Sequence, residues 1–288
     1  MSLCIGTAQF GMDYGISNTS GKVSYEDAKG IIDTSKKIGI SKIDTAPAYG
    51  NAEECIGKLD TQGQDIISKL PSKPNNILDI ESWFHESLNK SLKDLNRENI
   101  YGYLIHRVED LFEHSDELLN LLIDANKQNL IKKIGVSIYS PSDLEKVFKL
   151  HHFDIVQVPF NVFDTRILDT GWLQKLKKNN VEVHTRSAFL QGLLLISRNK
   201  ISPSFGKWKD NFNLWHDWIE DNNIDAVQAC LRFVNSFKMI DEIVIGFENK
   251  RQLLQAHEFL TSESPEIDFP DLSCDDELLI NPMNWRST

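Results

Sequence analysis

The chain has 288 residues, 41% of them apolar and 25% charged, which suits one large α/β domain or two small ones with a substantial core. Its net charge of −11 argues against a nucleic-acid partner, whose binding rests on basic contacts to phosphate, and against anionic membrane surfaces. The four cysteines (Cys4, Cys55, Cys230, Cys274) form no CxxC pair, so no zinc or redox motif is supported and free thiols are expected, with Cys4 and Cys230 in the core.

Met1–Gly6 has no basic segment leading into a long apolar run, and no window approaches the roughly 18 apolar residues of a membrane span. A cytoplasmic location is the expectation. Along the chain, short apolar runs alternate with amphipathic ones. The strands are expected at Leu3–Gly6, Lys42–Asp44, Ile66–Lys69, Tyr101–His106, Ile134–Ser137, Ile155–Val158, Val181–Thr185 and Glu242–Gly246. Between them the periodicity predicts helices at Tyr25–Ile38, Ala52–Leu59, Ile80–Leu95, Asp116–Gln128, Pro141–Leu150, Trp172–Lys178, Ile224–Ser236 and Asn249–Leu260. Ser24 with Asp27 reads as a capping box, and Ser140-Pro141 as a helix opening with Pro at its first position.

Buried, unalternating strands joined by helices mean a parallel sheet, and eight such units point to a closed (β/α)8 TIM barrel. The open doubly wound sheet is the alternative; no G-x-G-x-x-G follows any strand to support it. The expectation is a single domain over 1–288, with its core at about 3–260. A long loop follows strand seven (189–222), with Trp208, Trp215 and Trp218, and a tail closes the chain (261–288). Loops of that length in a compact domain carry function or are disordered, and the tryptophans argue for packing.

In such a barrel the chemistry sits at the C-terminal strand ends. The second strand ends in Asp44, with Tyr49 five residues on, where Pro47 and Gly50 fix a tight turn into the next helix. The third ends in Lys69 and the fourth in His106. These four should meet at one mouth. A tyrosine is a poor acid at neutral pH, and an ammonium beside it brings its pKa down. A carboxylate such as Asp44 would hold that lysine charged, and a histidine can orient a carbonyl oxygen. Together they form a protonation device for an oxygen becoming an alkoxide. No side chain delivers a hydride, so a nicotinamide cofactor, NADPH or NADH, is implied.

Gly6-Thr7-Ala8-Gln9-Phe10-Gly11, Asp44-Thr45-Ala46-Pro47-Ala48-Tyr49-Gly50, Lys69, His106, Gly135-Val136-Ser137 and Ile245-Gly246-Phe247 resemble the aldo-keto reductase family, in order, over about residues 3–260. The resemblance implies a barrel that reduces aldehydes or ketones, with Tyr49 as general acid, Lys69 and Asp44 tuning it, and His106 orienting the carbonyl. It also implies that Ser137 and Gln157 hold the nicotinamide carboxamide, with Asn161 near them. Arg186 stands where the family stacks a tyrosine on the nicotinamide. Ser187, Leu190 and Gly192 match the loop under the pyrophosphate. Gly246, Glu248, Lys250 and Gln252 match the segment at the adenosine end, where Glu248 stands close to the place a 2′-phosphate would want a base. NADPH preference is therefore expected to be weakened.

Two other functions fit part of the pattern. A Schiff-base lyase would use Lys69 but leave Tyr49 and Gln157 unexplained. A non-catalytic regulatory subunit would keep only the nucleotide pocket. The substrate is expected to be a small carbonyl compound, sugar-derived ones included, because the tryptophans of 189–222 suit an apolar or ring-bearing ligand. His216, between Trp215 and Trp218, is a further candidate for the pocket.

Overall fold

The structure, a computed structural model, describes residues 2–74, 77, 79–262 and 267–285. Eight parallel strands close into a barrel: β1 Ser2–Gly6, β2 Lys42–Asp44, β3 Asp65–Leu70, β4 Ile100–Ile105, β5 Ile131–Ser137, β6 Ile155–Pro159, β7 Glu182–Arg186 and β8 Glu242–Gly246. Closure comes from β1, which pairs with β2 on one side (Gly6 beside Asp44) and β8 on the other (Gly6 beside Gly246). Every expected strand is present within one or two residues, except that β5 begins three residues before its expected start at Ile134. His106 lies just past β4 rather than in it.

The helices start where the sequence puts a short polar side chain. The Ser24 side chain accepts from the Asp27 amide to open Tyr25–Lys37, and the Asn249 side chain accepts from the Arg251 and Gln252 amides to open Lys250–Thr261. Asp79 and Asp225 cap Ile80–Asp94 and Ala226–Ser236 in the same way. The helix expected over Pro141–Leu150 is a 3-10 turn followed by the α-helix Leu144–Leu150.

Inside the barrel the side chains stack in layers. An apolar layer of Cys4, Ile67, Leu104 and Ile155 fills the middle. At the N-terminal strand ends the layer is polar. Lys42 pairs with Glu242 at 2.6 Å, the Tyr101 hydroxyl donates to Glu182 at 2.7 Å, and Lys133 and His184 also contact Glu182. Burial pushes the Glu182 carboxyl up, but its hydrogen bonds from His184, Lys133 and Tyr101 hold it well below the ordinary carboxylate range. A carboxyl depressed on folding adds stability above its unfolded value, here 4.5, and loses it as pH falls. Urea unfolding between about pH 6 and pH 3 should therefore show the wild type losing stability faster than E182Q. Parallel losses would mean the carboxylate network contributes nothing.

The segment after β7 is packed. It holds 3-10 turns and the α-helix Lys209–Asp221. Its tryptophans, expected from sequence to suit a ligand, are packed against other parts of the chain instead. Trp215 is fully buried, donates to the Leu194 carbonyl and stacks on Trp218. Trp218 lies 4.7 Å from Phe269 and donates to the Asp268 carbonyl, while Trp208 donates to Asp276. The tail thus covers the insertion. Residues 263–266 and 286–288 of the predicted tail lie outside the described residues.

Candidate active site

The strand ends of β2, β3 and β6 meet around Asp44. The Lys69 ammonium donates to Asp44 Oδ1 at 2.6 Å and to the Thr45 carbonyl at 2.9 Å, and Gln157 Nε2 donates to Asp44 Oδ2 at 2.7 Å. Lys69 is wholly buried and Asp44 is 2% exposed. The Lys69 Nζ stands 5.0 Å from the centre of the Tyr49 ring, and the Tyr49 ring meets the His106 ring edge-on at 6.1 Å. The four candidate catalytic residues are therefore together. Gln157 serves the carboxylate of that group while also lining the adjoining cavity.

Local sequence holds Tyr49 there. A Cβ on Gly11 would lie 1.6 Å from the Tyr49 carbonyl oxygen, and one on Gly50 (φ 62°) would lie 2.3 Å from the Gly11 carbonyl. Two glycines thus let the tyrosine turn seat directly on the segment after β1. Thr7 binds the Asp44 carbonyl through both its amide and its hydroxyl, at 3.1 and 2.9 Å.

Burial sets the charges. It pushes the Tyr49 hydroxyl up, and the opposing pull of Lys69 does not reverse this, so the lowered value expected from sequence is not found. Burial pushes the Lys69 ammonium down, but Asp44 and Tyr49 raise it further, so it stays charged. His106 is brought down to about 3 by burial and by the charges of Lys69 and Arg186, which keeps it neutral near pH 7.

A cavity of about 500 Å³ runs from Asp44, Tyr49 and Gln157 to Gly246, Glu248, Gln252 and Ala256. This is within the usual range for ligand sites. Arg186, Ser187 and Gly192 line it. Ser137, Leu190 and Lys250 do not: Leu190 is buried in the core and Lys250 is exposed on the helix beside Gly30. His216 and the tryptophans are also outside it.

The wall that sequence reasoning missed is the segment after β1, with Tyr14, Gly15, Ser17, Asn18 and Thr19. The Ile16 amide donates to the Gln191 carbonyl at 3.0 Å, and a Cβ on Gly192 (φ 93°) would lie 1.9 Å from Ser17 Oγ. This segment therefore crosses the loop after β7 beside the cavity. The only local cue was the aromatic Tyr14 between Gly11 and Gly15 just past a strand end.

The sequence matches the Aldo/keto reductase family over residues 2–270. It is 30% identical over 189 residues to the aldo-keto reductase YhdN of Bacillus subtilis, covering 61% of this chain and 55% of that one. It is 30% identical over 126 residues to the methylglyoxal reductase DkgA of Escherichia coli, covering 44% and 46%. The aligned part thus spans about half the length of these curated relatives. Among solved structures, the fold is shared with the holo form of the aldo-keto reductase AKR11C1 of Bacillus halodurans (TM-score 0.73, 18% identity, 92% and 88% covered). It is shared as well with the glycerol dehydrogenase AKR11B4 of Gluconobacter oxydans (TM-score 0.71, 21% identity, 92% and 87% covered). With nearly its whole length matched and its strand ends converging on one cavity, the chain belongs to the aldo/keto reductase family.

Proposed function

We propose that the chain, as a single domain, reduces a small aldehyde or ketone to the alcohol with NADPH or NADH. The observation that carries this is the buried Asp44–Lys69 pair set against the Tyr49 ring, beside neutral His106, at one end of an elongated cavity. Tyr49 holds a proton for the carbonyl oxygen as charge develops on it. Lys69 stabilises the tyrosinate left behind, and Asp44 and the Thr45 carbonyl keep Lys69 in place. Neutral His106 can position the carbonyl oxygen without competing for the proton.

The residues present suit a dinucleotide. The turn at Ser187–Gly192 has four residues at positive φ (Ser187, Leu190, Gln191, Gly192), a shape that gathers backbone amides toward an anion. Gln157 would hold the nicotinamide end, the Ser187–Gly192 turn the pyrophosphate, and Gly246, Glu248 and Gln252 the adenosine end. When bound, the nicotinamide supplies the hydride. The Bacillus halodurans relative, a holo form, supports a cofactor in this fold.

A Schiff-base lyase is disfavoured, because an ammonium buried, ion-paired and raised in pKa lacks the lone pair needed to attack a carbonyl. Turnover of 4-nitrobenzaldehyde with either cofactor tests the proposal. Cofactor binding without turnover of any aldehyde or ketone would favour a regulatory subunit instead.

Cofactor choice rests on Glu248. Its carboxylate lines the cavity, accepting from Ser20 at 3.3 Å and Gln252 at 3.4 Å. Lys250 and Arg251 are exposed and outside the lining. A carboxylate there accepts from ribose hydroxyls and repels a 2′-phosphate. The preference for NADPH over NADH in kcat/KM should stay below about 100-fold, or 2.7 kcal/mol. Glu248→Gln should move it toward NADPH by about tenfold. A larger wild-type preference would remove Glu248 from this role.

A further inference from the structure

We infer that Arg186 is the receiver of an anionic group on the substrate, so that the preferred substrates are carbonyl compounds carrying a carboxylate or phosphate a few atoms from the carbonyl. This rests on the reductase function proposed above. Arg186 closes β7 and lines the cavity together with Tyr14, Tyr49 and Gln157. Its guanidinium lies 4.3 Å from the centre of the Tyr139 ring, donates to the Ile138 carbonyl at 3.1 Å and reaches Ser187 Oγ at 3.3 Å. A flat cation held on an aromatic face by a carbonyl and a hydroxyl is fixed in place with donors left over, because guanidinium carries five.

No carboxylate among the described residues forms an ion pair with it. Asp164 is taken by Arg166 at 2.8 Å, and Asp44 by Lys69 and Gln157. A half-buried guanidinium without a carboxylate is an incomplete pair, and a bidentate anion completes it. It lies near the chemistry: its charge opposes the burial that raises Tyr49 and adds to the burial that lowers His106. Its guanidinium reaches Ile138 and Tyr139, on the wall between β5 and β7, and touches the pyrophosphate turn only at its first residue, Ser187.

The test uses substrate pairs that share the carbonyl end and differ in carrying an anionic group. They are butyraldehyde and succinic semialdehyde for a carboxylate, and glyceraldehyde and glyceraldehyde 3-phosphate for a phosphate. In the wild type the anionic member of at least one pair should be favoured at least tenfold in kcat/KM, and which pair responds identifies the anion. In Arg186→Gln that ratio should fall to within about threefold of unity, mainly through KM, while calorimetric Kd for NADH moves less than the ratio does. Wild-type ratios near one, ratios unchanged by R186Q, or a change confined to the NADH Kd would each overturn the inference; the last would make Arg186 a cofactor ligand. If no aldehyde is turned over, the reductase function fails, and calorimetry with 4-carboxybenzyl alcohol against benzyl alcohol still decides. Selective binding of the acid that R186Q abolishes upholds the anion site, and equal binding rejects it.

Discussion

Tyr49→Phe is expected to lower kcat for aldehyde reduction by about 10²–10⁴-fold, the usual contribution of a placed proton donor, with the dinucleotide Kd changed only a few-fold. The ring stays to pack against His106 and under Lys69, so what is lost is the hydroxyl alone. The pH profile gives a second check. Burial holds the Tyr49 hydroxyl above its ordinary value of 10.0, so it keeps its proton throughout the neutral range. His106, at about 3, does not charge there. Reduction in the wild type should be flat between about pH 5 and 8, and alcohol oxidation, which needs the tyrosinate, should rise toward high pH. Equal loss of turnover and cofactor affinity in Tyr49→Phe would make the residue structural. A break near 6.5 in the reduction profile would mean that a charged histidine takes part.

The largest effect on stability is expected at Lys69. Lys69→Met removes the cation on Asp44 Oδ1 and leaves a buried carboxylate with the Gln157 amide as its remaining side-chain donor among the described residues. Breaking a pair buried to this degree, 0% and 3% side-chain exposure, costs about 3–5 kcal/mol, because the surviving charge has no solvent to return to. Urea midpoints would show it. Lys69→Met with Asp44→Leu should recover most of the loss, since an apolar replacement of both partners removes the stranded charge, yet the double variant should stay inactive. A loss below about 1 kcal/mol for the single change would put the pair in the class of surface contacts, and the site would then be wetter than its burial indicates.

The barrel was legible because its strands are buried on both faces. Such runs read as short apolar blocks, and the first polar residue after each block marks a strand end. Asp44 and Lys69 were found that way, and His106 was found one residue past its strand. The far wall was not legible. Tyr14, Ser17 and Asn18 sit in a segment without periodicity, and contacts with residues far along the chain, such as Ile16 with Gln191 and Ser17 with Gly192, bring them to the cavity. The tryptophans misled for the same reason. Indoles beside a catalytic mouth look like a ligand surface until their partners are known, and those partners, Phe269 and Asp276, belong to the tail. The Tyr49 hydroxyl was misjudged because the effect of a neighbouring ammonium can be reasoned from residue type, whereas the depth of burial that outweighs it cannot.

The tail also sets an order in time. Trp218 is covered by Asp268 and Phe269, and Asp268 lies 50 residues further along the chain. At about 5–20 residues per second, a ribosome finishes the helix Lys209–Asp221 roughly 2–9 s before it adds that cover. For that interval the Trp218 indole, packed on its inner face by Trp215, has a second face open to water. The segment at Asp268–Phe269 therefore acts as a seal added after the helix it covers.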